Sequence, residues 1–197
     1  MIKNPIPKVS SQTQSRAIGI IFGKYKPYDP NLLNKGVIQD VNGFNIESVV
    51  LGKALPLIKK YINFEKNYYW IVYPRNKNSN NLHLQITGIW DPNNFKVSNK
   101  NNIEKTHDLL RSFNLKEDMF SIRGKLIFIN IQKEELILKI SCSKANNPKV
   151  KSFKIFVKGV IQMKFINSFV SLELTRKDNS LFLDHFEVID EKISVID

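Results

Sequence analysis

A chain of 197 residues can form one large β domain or two small ones, and its 42% apolar and 24% charged residues exclude wholesale disorder. Lys and Arg number 30 against 18 Asp and Glu, a formal charge of +12 that suits RNA, single-stranded DNA or an acidic protein face. A lone cysteine, Cys142, excludes an internal disulfide and favours a reducing compartment.

Residues 1–15 read as a flexible N-terminal segment. Pro5 and Pro7 interrupt isolated apolar side chains, so neither a secretory signal nor a membrane span is predicted, and a cytoplasmic location is expected. Arg16–Tyr25 reads as a curved strand, with Ile18, Ile20 and Phe22 on one face and Gly19 and Gly23 on the other. Asn42-Gly43 predicts a type I′ hairpin between Gly36–Val41 and Phe44–Leu51. Leu55, Ile58 and Ile62 predict a short helix over 53–62, which tolerates Pro56 in its first turn. Strands follow at 68–74 and 82–90, separated by a polar loop at 76–81.

This β-β-β-α-β-β order over residues 16–92 is that of the OB-fold, a small Greek-key barrel that binds oligonucleotides. Residues 93–118 read as a polar linker with a short helix marked by Ile103, Leu110 and Phe113. A second β-barrel or meander is expected over 119–190, with strands at 120–131, 136–142, 152–161, 169–176 and 181–189, and an acidic tail over 191–197. The expected class is therefore mainly β with one or two short helices, as tandem small OB-like barrels or one larger two-part antiparallel structure.

Chemistry beyond binding is not predicted. The alternation Leu136, Leu138, Ile140 places Cys142 on an inner strand face as a structural thiol. His83, His107 and His185 lack metal-ligand spacing, so no metal is expected. Asp184 and His185, adjacent on a strand, point to opposite faces. No nucleophile elbow, dinucleotide fingerprint or P-loop occurs, and neither an enzyme nor a small-molecule cofactor is expected.

The charge is concentrated in residues 1–28, with five basic residues and no acid, and in 139–164, with seven lysines and no acid. Abundant Asn, Ile and Lys also fit an AT-rich coding bias, which enriches surface lysine without function. Where cations alternate with rings, a stacking surface with phosphate-tracking flanks is predicted. Lys24, Tyr25, Lys26 and Tyr28 interleave at the end of strand one. Tyr69, Tyr73 and Arg75 share a face that would lie beside His83 and Gln85 if their strands pair, leaving Tyr68, Trp70 and Val72 for the core. Lys154, Phe156 and Lys158 repeat the pattern, and Arg16 and Arg123 stand in the similar openings of the two halves, Arg16-Ala17-Ile18-Gly19 and Ser121-Ile122-Arg123-Gly124.

Those two openings, with Glu47-Ser48-Val49-Val50-Leu51-Gly52-Lys53, Trp70-Ile71-Val72-Tyr73-Pro74-Arg75 and the run from Leu82 to Trp90, resemble an uncharacterised conserved family of cyanobacterial proteins over most of residues 16–160. The resemblance implies lineage and a cytoplasmic location, and carries no activity. The function expected is non-enzymatic binding of RNA or single-stranded DNA through a basic, aromatic-bearing β surface. The alternative is a regulatory module that docks on an acidic face of an RNA-processing enzyme, such as a ribonuclease, or of the ribosome.

Overall fold

Ten strands and two helices follow one another in a computed structural model that describes residues 3–76, 81–92, 100–144 and 147–190. They are β1 (Arg16–Asp29), β2 (Leu32–Asp40), β3 (Asn45–Val50), α1 (Leu55–Tyr61), β4 (Tyr68–Asn76), β5 (Leu82–Trp90), α2 (Lys100–Ser112), β6 (Met119–Asn130), β7 (Glu135–Lys144), β8 (Asn147–Lys158), β9 (Phe169–Lys177) and β10 (Ser180–Asp190). Most of the polar loop at 76–81, the start of the linker at 93, the side chain of Cys142 and the acidic tail at 191–197 lie outside the described residues. The chain forms two units, one of Met1–Pro7, Gly19–Tyr73 and His83–Met119, the other of Lys8–Ile18, Pro74–Leu82 and Phe120–Asp197.

In the first unit the strands run β1-β2-β3-β5-β4 and β4 returns to β1, which closes a five-stranded barrel. Pairing is antiparallel for β1–β2, β2–β3 and β1–β4, and parallel for β3–β5. Closure requires β1 to coil tightly over β2, and Gly23 permits it. A Cβ there would stand 2.3 Å from the Gln39 carbonyl oxygen, well inside van der Waals contact.

The barrel interior takes one parity of each strand: Ile21, Tyr25, Ile38, Ile46, Trp70, Val72, Leu84 and Ile86 are fully buried. Trp70 donates its indole N–H to the Gly23 carbonyl at 2.8 Å, and the Tyr25 hydroxyl donates to the Leu33 carbonyl at 3.0 Å, so neither ring buries an unpaired polar group. α1 holds Pro56 in its first turn, as expected, and turns Ile58 into the core.

The hairpin at Asn42-Gly43 is present, but the turn is not type I′. Gly43 has φ +86° whereas Asn42 does not take positive φ. The buried Asp40 carboxylate replaces that geometry by accepting from the backbone N–H of Asn42 and of Phe44, each at 2.9 Å.

Outside this barrel, α2 covers part of β1 and β4. His107 packs edge-on to Phe22 and Tyr69, and Phe113 meets Trp90. Residues 3–15, expected to be flexible, make contacts of their own: Ile6 is buried and the Lys3 carbonyl accepts from the Trp90 indole at 3.0 Å.

The second unit repeats the order, β6-β7-β8-β10-β9, with β9 returning to β6 and a parallel contact between β8 and β10. A single 3-10 turn, Met163–Phe165, stands where the first unit has α1. Gly124 is the counterpart of Gly23, since a Cβ there would lie 2.6 Å from the Lys139 carbonyl oxygen. Leu126, Leu136, Leu138, Ile155, Val170, Leu172 and Leu174 fill the interior. Each unit is thus a closed five-stranded Greek-key barrel, the OB-fold arrangement.

Candidate nucleic-acid interface

Register builds the site in the second unit. β6 sets Lys125 opposite Lys139, Phe128 opposite Ile137 and Asn130 opposite Glu135, with a bulge at Ile127. β7 then sets Lys139 opposite Lys154, Ile137 opposite Phe156 and Glu135 opposite Lys158. Directly opposed residues share a face. Three outward rows result: Lys125–Lys139–Lys154, Phe128–Ile137–Phe156 and Asn130–Glu135–Lys158. The alternate positions, Leu126, Leu138 and Ile155, are fully buried beneath them.

The rows differ in charge. Lys158 and Glu135 pair at 2.8 Å, and the hydrogen bond from Lys158 holds the Glu135 carboxyl below its usual range. No carboxylate among the described residues pairs with Lys125, Lys139 or Lys154. Three like charges on strands about 4.8 Å apart repel, which makes this row a cost to the isolated barrel. Beside it, Phe128 is 41% exposed and Phe156 is part-exposed. The rows lie about 7 Å apart along the strands, two residues at 3.3–3.4 Å each.

The corresponding face of the first unit is less basic. Its rows are Lys24–Gln39–Asn45, Lys26–Val37–Glu47 and the pair Lys35–Val49. Tyr28, 60% exposed, hydrogen-bonds to Glu47, which with some burial pushes the phenol up to about 12. Lys26 is exposed and Lys24 half-buried.

Two of the rings expected on the surface are in the core instead. Tyr25 has no exposed area and packs against Trp70 and Phe64. Tyr69 is 3% exposed beneath α2, its hydroxyl 2.5 Å from Nδ1 of His107, which lies 2.8 Å from Glu117. Burial drives the Tyr69 phenol far above its normal range. Alternation predicts a wet face for Tyr69, and interleaving with Lys24 and Lys26 predicts a surface position for Tyr25. In β1 the ring-bearing parity of Tyr25 is the barrel interior, and in β4 the outer face is covered by a helix.

Other expected residues are dispersed. β4 and β5 do lie side by side, since the Thr87 hydroxyl donates to the Ile71 carbonyl at 3.1 Å. Tyr73 is 37% exposed, and His83 and Gln85 are half-buried on β5. Arg75 belongs to the second unit, where its guanidinium lies 3.8 Å from the ring centroid of Phe153 and Asn76 accepts from the Phe156 N–H at 3.2 Å. Arg123 is buried and Arg16 part-buried in that unit. Lys154, Phe156 and Lys158 share the outer face, as expected, although Lys158 is committed to Glu135.

Lys125, Lys139, Phe128 and Ile137 were not legible as a site, because only strand register brings them beside Lys154 and Phe156. Asp184 accepts a hydrogen bond from Thr175 and stands with His185 at a break in the β9–β10 register. Among the described residues, no group of three or more His, Cys, Asp or Glu is placed to hold a metal ion, and no helix is long and apolar enough to cross a membrane.

Residues 17–97 match the family described as PatR RNA-binding protein, N-terminal OB-fold domain, and residues 122–190 match the cyanobacterial OB-fold-like RNA-binding domain, C-terminal. No curated protein and no solved structure matches the chain. The resemblance to a conserved cyanobacterial family therefore stands, with the correction that the family carries a description as RNA-binding. An N-terminal and then a C-terminal OB-fold domain model thus match successive parts of the chain, together about three quarters of its length.

Proposed function

We propose that the protein binds single-stranded RNA, without catalysing a reaction on it, across the outer face of β6, β7 and β8. The observation that carries this reading is the lysine row Lys125–Lys139–Lys154 beside the apolar row Phe128–Ile137–Phe156. Phosphates along the lysines relieve their repulsion, while bases lie on the rings, which accept any base through its π-face. The description of both matched domains as RNA-binding supports the same reading. Lys24, Lys26 and Tyr28 give the first unit a lesser face of the same kind, interrupted by Glu47.

The test is fluorescence anisotropy with a labelled single-stranded RNA. Replacing Phe128 and Phe156 together by Ala should weaken binding by about 1–3 kcal/mol for each base that loses its stacking partner. Both rings are partly exposed, so the melting temperature should change little. Equal affinity of the double variant and the parent would refute the platform, and DNA of the same sequence measures any preference for the 2′-hydroxyl.

A further inference from the structure

Ser121, Arg123 and Lys125 alternate onto one face of β6, so the lysine row continues along that strand into a guanidinium. Arg123 is only 8% exposed. Its Nη2 donates to the backbone carbonyl of Gln12, and its Nε is buried with no acceptor among the described residues. A second guanidinium is close. Arg16 donates to the Ser121 hydroxyl at 2.6 Å, and burial, then the charge of Arg123, holds its pKa below the usual arginine range. A desolvated cation whose described acceptor is one neutral carbonyl, set beside another cation, is costly unless an anion joins it.

We propose that Arg123 and Arg16, with the Ser121 hydroxyl, hold a phosphate group. Guanidinium forks match the oxygens of phosphate, and the Ser121 hydroxyl, which accepts from Arg16, retains a proton to donate. The part-exposed Arg16 gives the anion its way in. Arg123 lies two residues, about 7 Å, from Lys125, which places the site in line with the proposed track of an RNA backbone. The assignment of that phosphate to RNA rests on the function proposed above, whereas the anion site itself does not.

The experiment compares the full-length protein with its Arg123→Met variant by thermal melting, in inorganic phosphate and in chloride at equal ionic strength. Phosphate should raise the melting temperature of the parent more than chloride does, because a ligand bound to the folded state alone stabilises it, and Arg123→Met should lose that difference. If Arg123→Met does not fold, Arg123→Lys, which keeps the charge and loses the fork, is read for the same loss. A parent that responds no more to phosphate than to chloride, or a variant that responds as the parent does, overturns the proposal.

Oligonucleotides with and without a 5′-phosphate then identify the source. A preference for the phosphorylated end that Arg123→Met abolishes indicates a terminal phosphate, and an equal loss for both indicates the backbone. Absence of any RNA binding, with the phosphate response intact, would refute the RNA reading and leave the anion site standing.

Discussion

Replacing Lys125, Lys139 and Lys154 together by Gln separates a binding surface from a merely solvated one, because the row makes opposite demands on stability and on affinity. The three residues stand opposite one another on adjacent strands, giving two direct like-charge contacts and no paired carboxylate among the described residues. Cross-strand pairs of this kind are each worth roughly 0.2–1 kcal/mol. The neutral variant should therefore be as stable as the parent or more stable, by up to about 2 kcal/mol for the two contacts of the row.

Binding should move the other way. Each phosphate neutralised on a single strand contributes about −0.7 to the slope of log K against log salt, so losing three contacts should flatten the slope by about 2. Over a fourfold rise in salt, this makes the parent lose roughly 20-fold more affinity than the variant. Anisotropy titrations at four or five salt concentrations give the slope, and urea melts give the stability. An unchanged slope would remove the lysine row from the interface, and a marked loss of stability would show that the lysine stems serve packing.

Two further outcomes test the fold. Gly23→Ala places a methyl group 2.3 Å from the Gln39 carbonyl oxygen, and since backbone on both strands must shift, a loss of about 2–3 kcal/mol is expected in urea unfolding; a loss below about 0.5 kcal/mol would mean that closure between β1 and β2 is looser than described. Burial holds the Glu117 carboxyl above its reference value of 4.5, with the charge of His107 acting in the opposite direction. The folded state therefore binds this proton more tightly than the unfolded state. The stabilisation is fully present below 4.5 and is lost as pH rises through the higher folded value. Glu117→Gln should remove that part of the pH dependence, and a stability difference from the parent that stays constant between pH 4 and 7 would contradict it.

The topology was largely legible because its signals are local. Asn42-Gly43 marks a hairpin, Pro56 marks the first turn of α1, and alternation sets Trp70, Val72, Leu84 and Ile86 in the core. The sites were less legible for two physical reasons. Alternation assumes that a strand has one wet face, and α2 removes that face from Tyr69. The lysine row depends on pairing between residues 14 or 15 apart, through two hairpins and the bulge at Ile127. A one-residue slip would send Lys139 into the barrel, and sequence pattern leaves the bulge position open. Asp40 escaped for a related reason: a carboxylate that organises a turn looks like any other loop acid until its acceptor geometry is seen.

The second unit draws on Lys8–Ile18 and Pro74–Leu82 as well as Phe120–Asp197, so its parts are interleaved in the chain with those of the first. A cut between β5 and β6 keeps the five strands of each barrel together but divides both units. A fragment beginning near residue 119 lacks Arg16, Arg75 and Asn76 together with the Gln12 carbonyl that Arg123 uses. Loss of binding by such a fragment would report missing parts as much as a missing partner domain. A fragment that keeps the five strands of a barrel is thus still short of the side chains that segments distant in sequence bring to its unit.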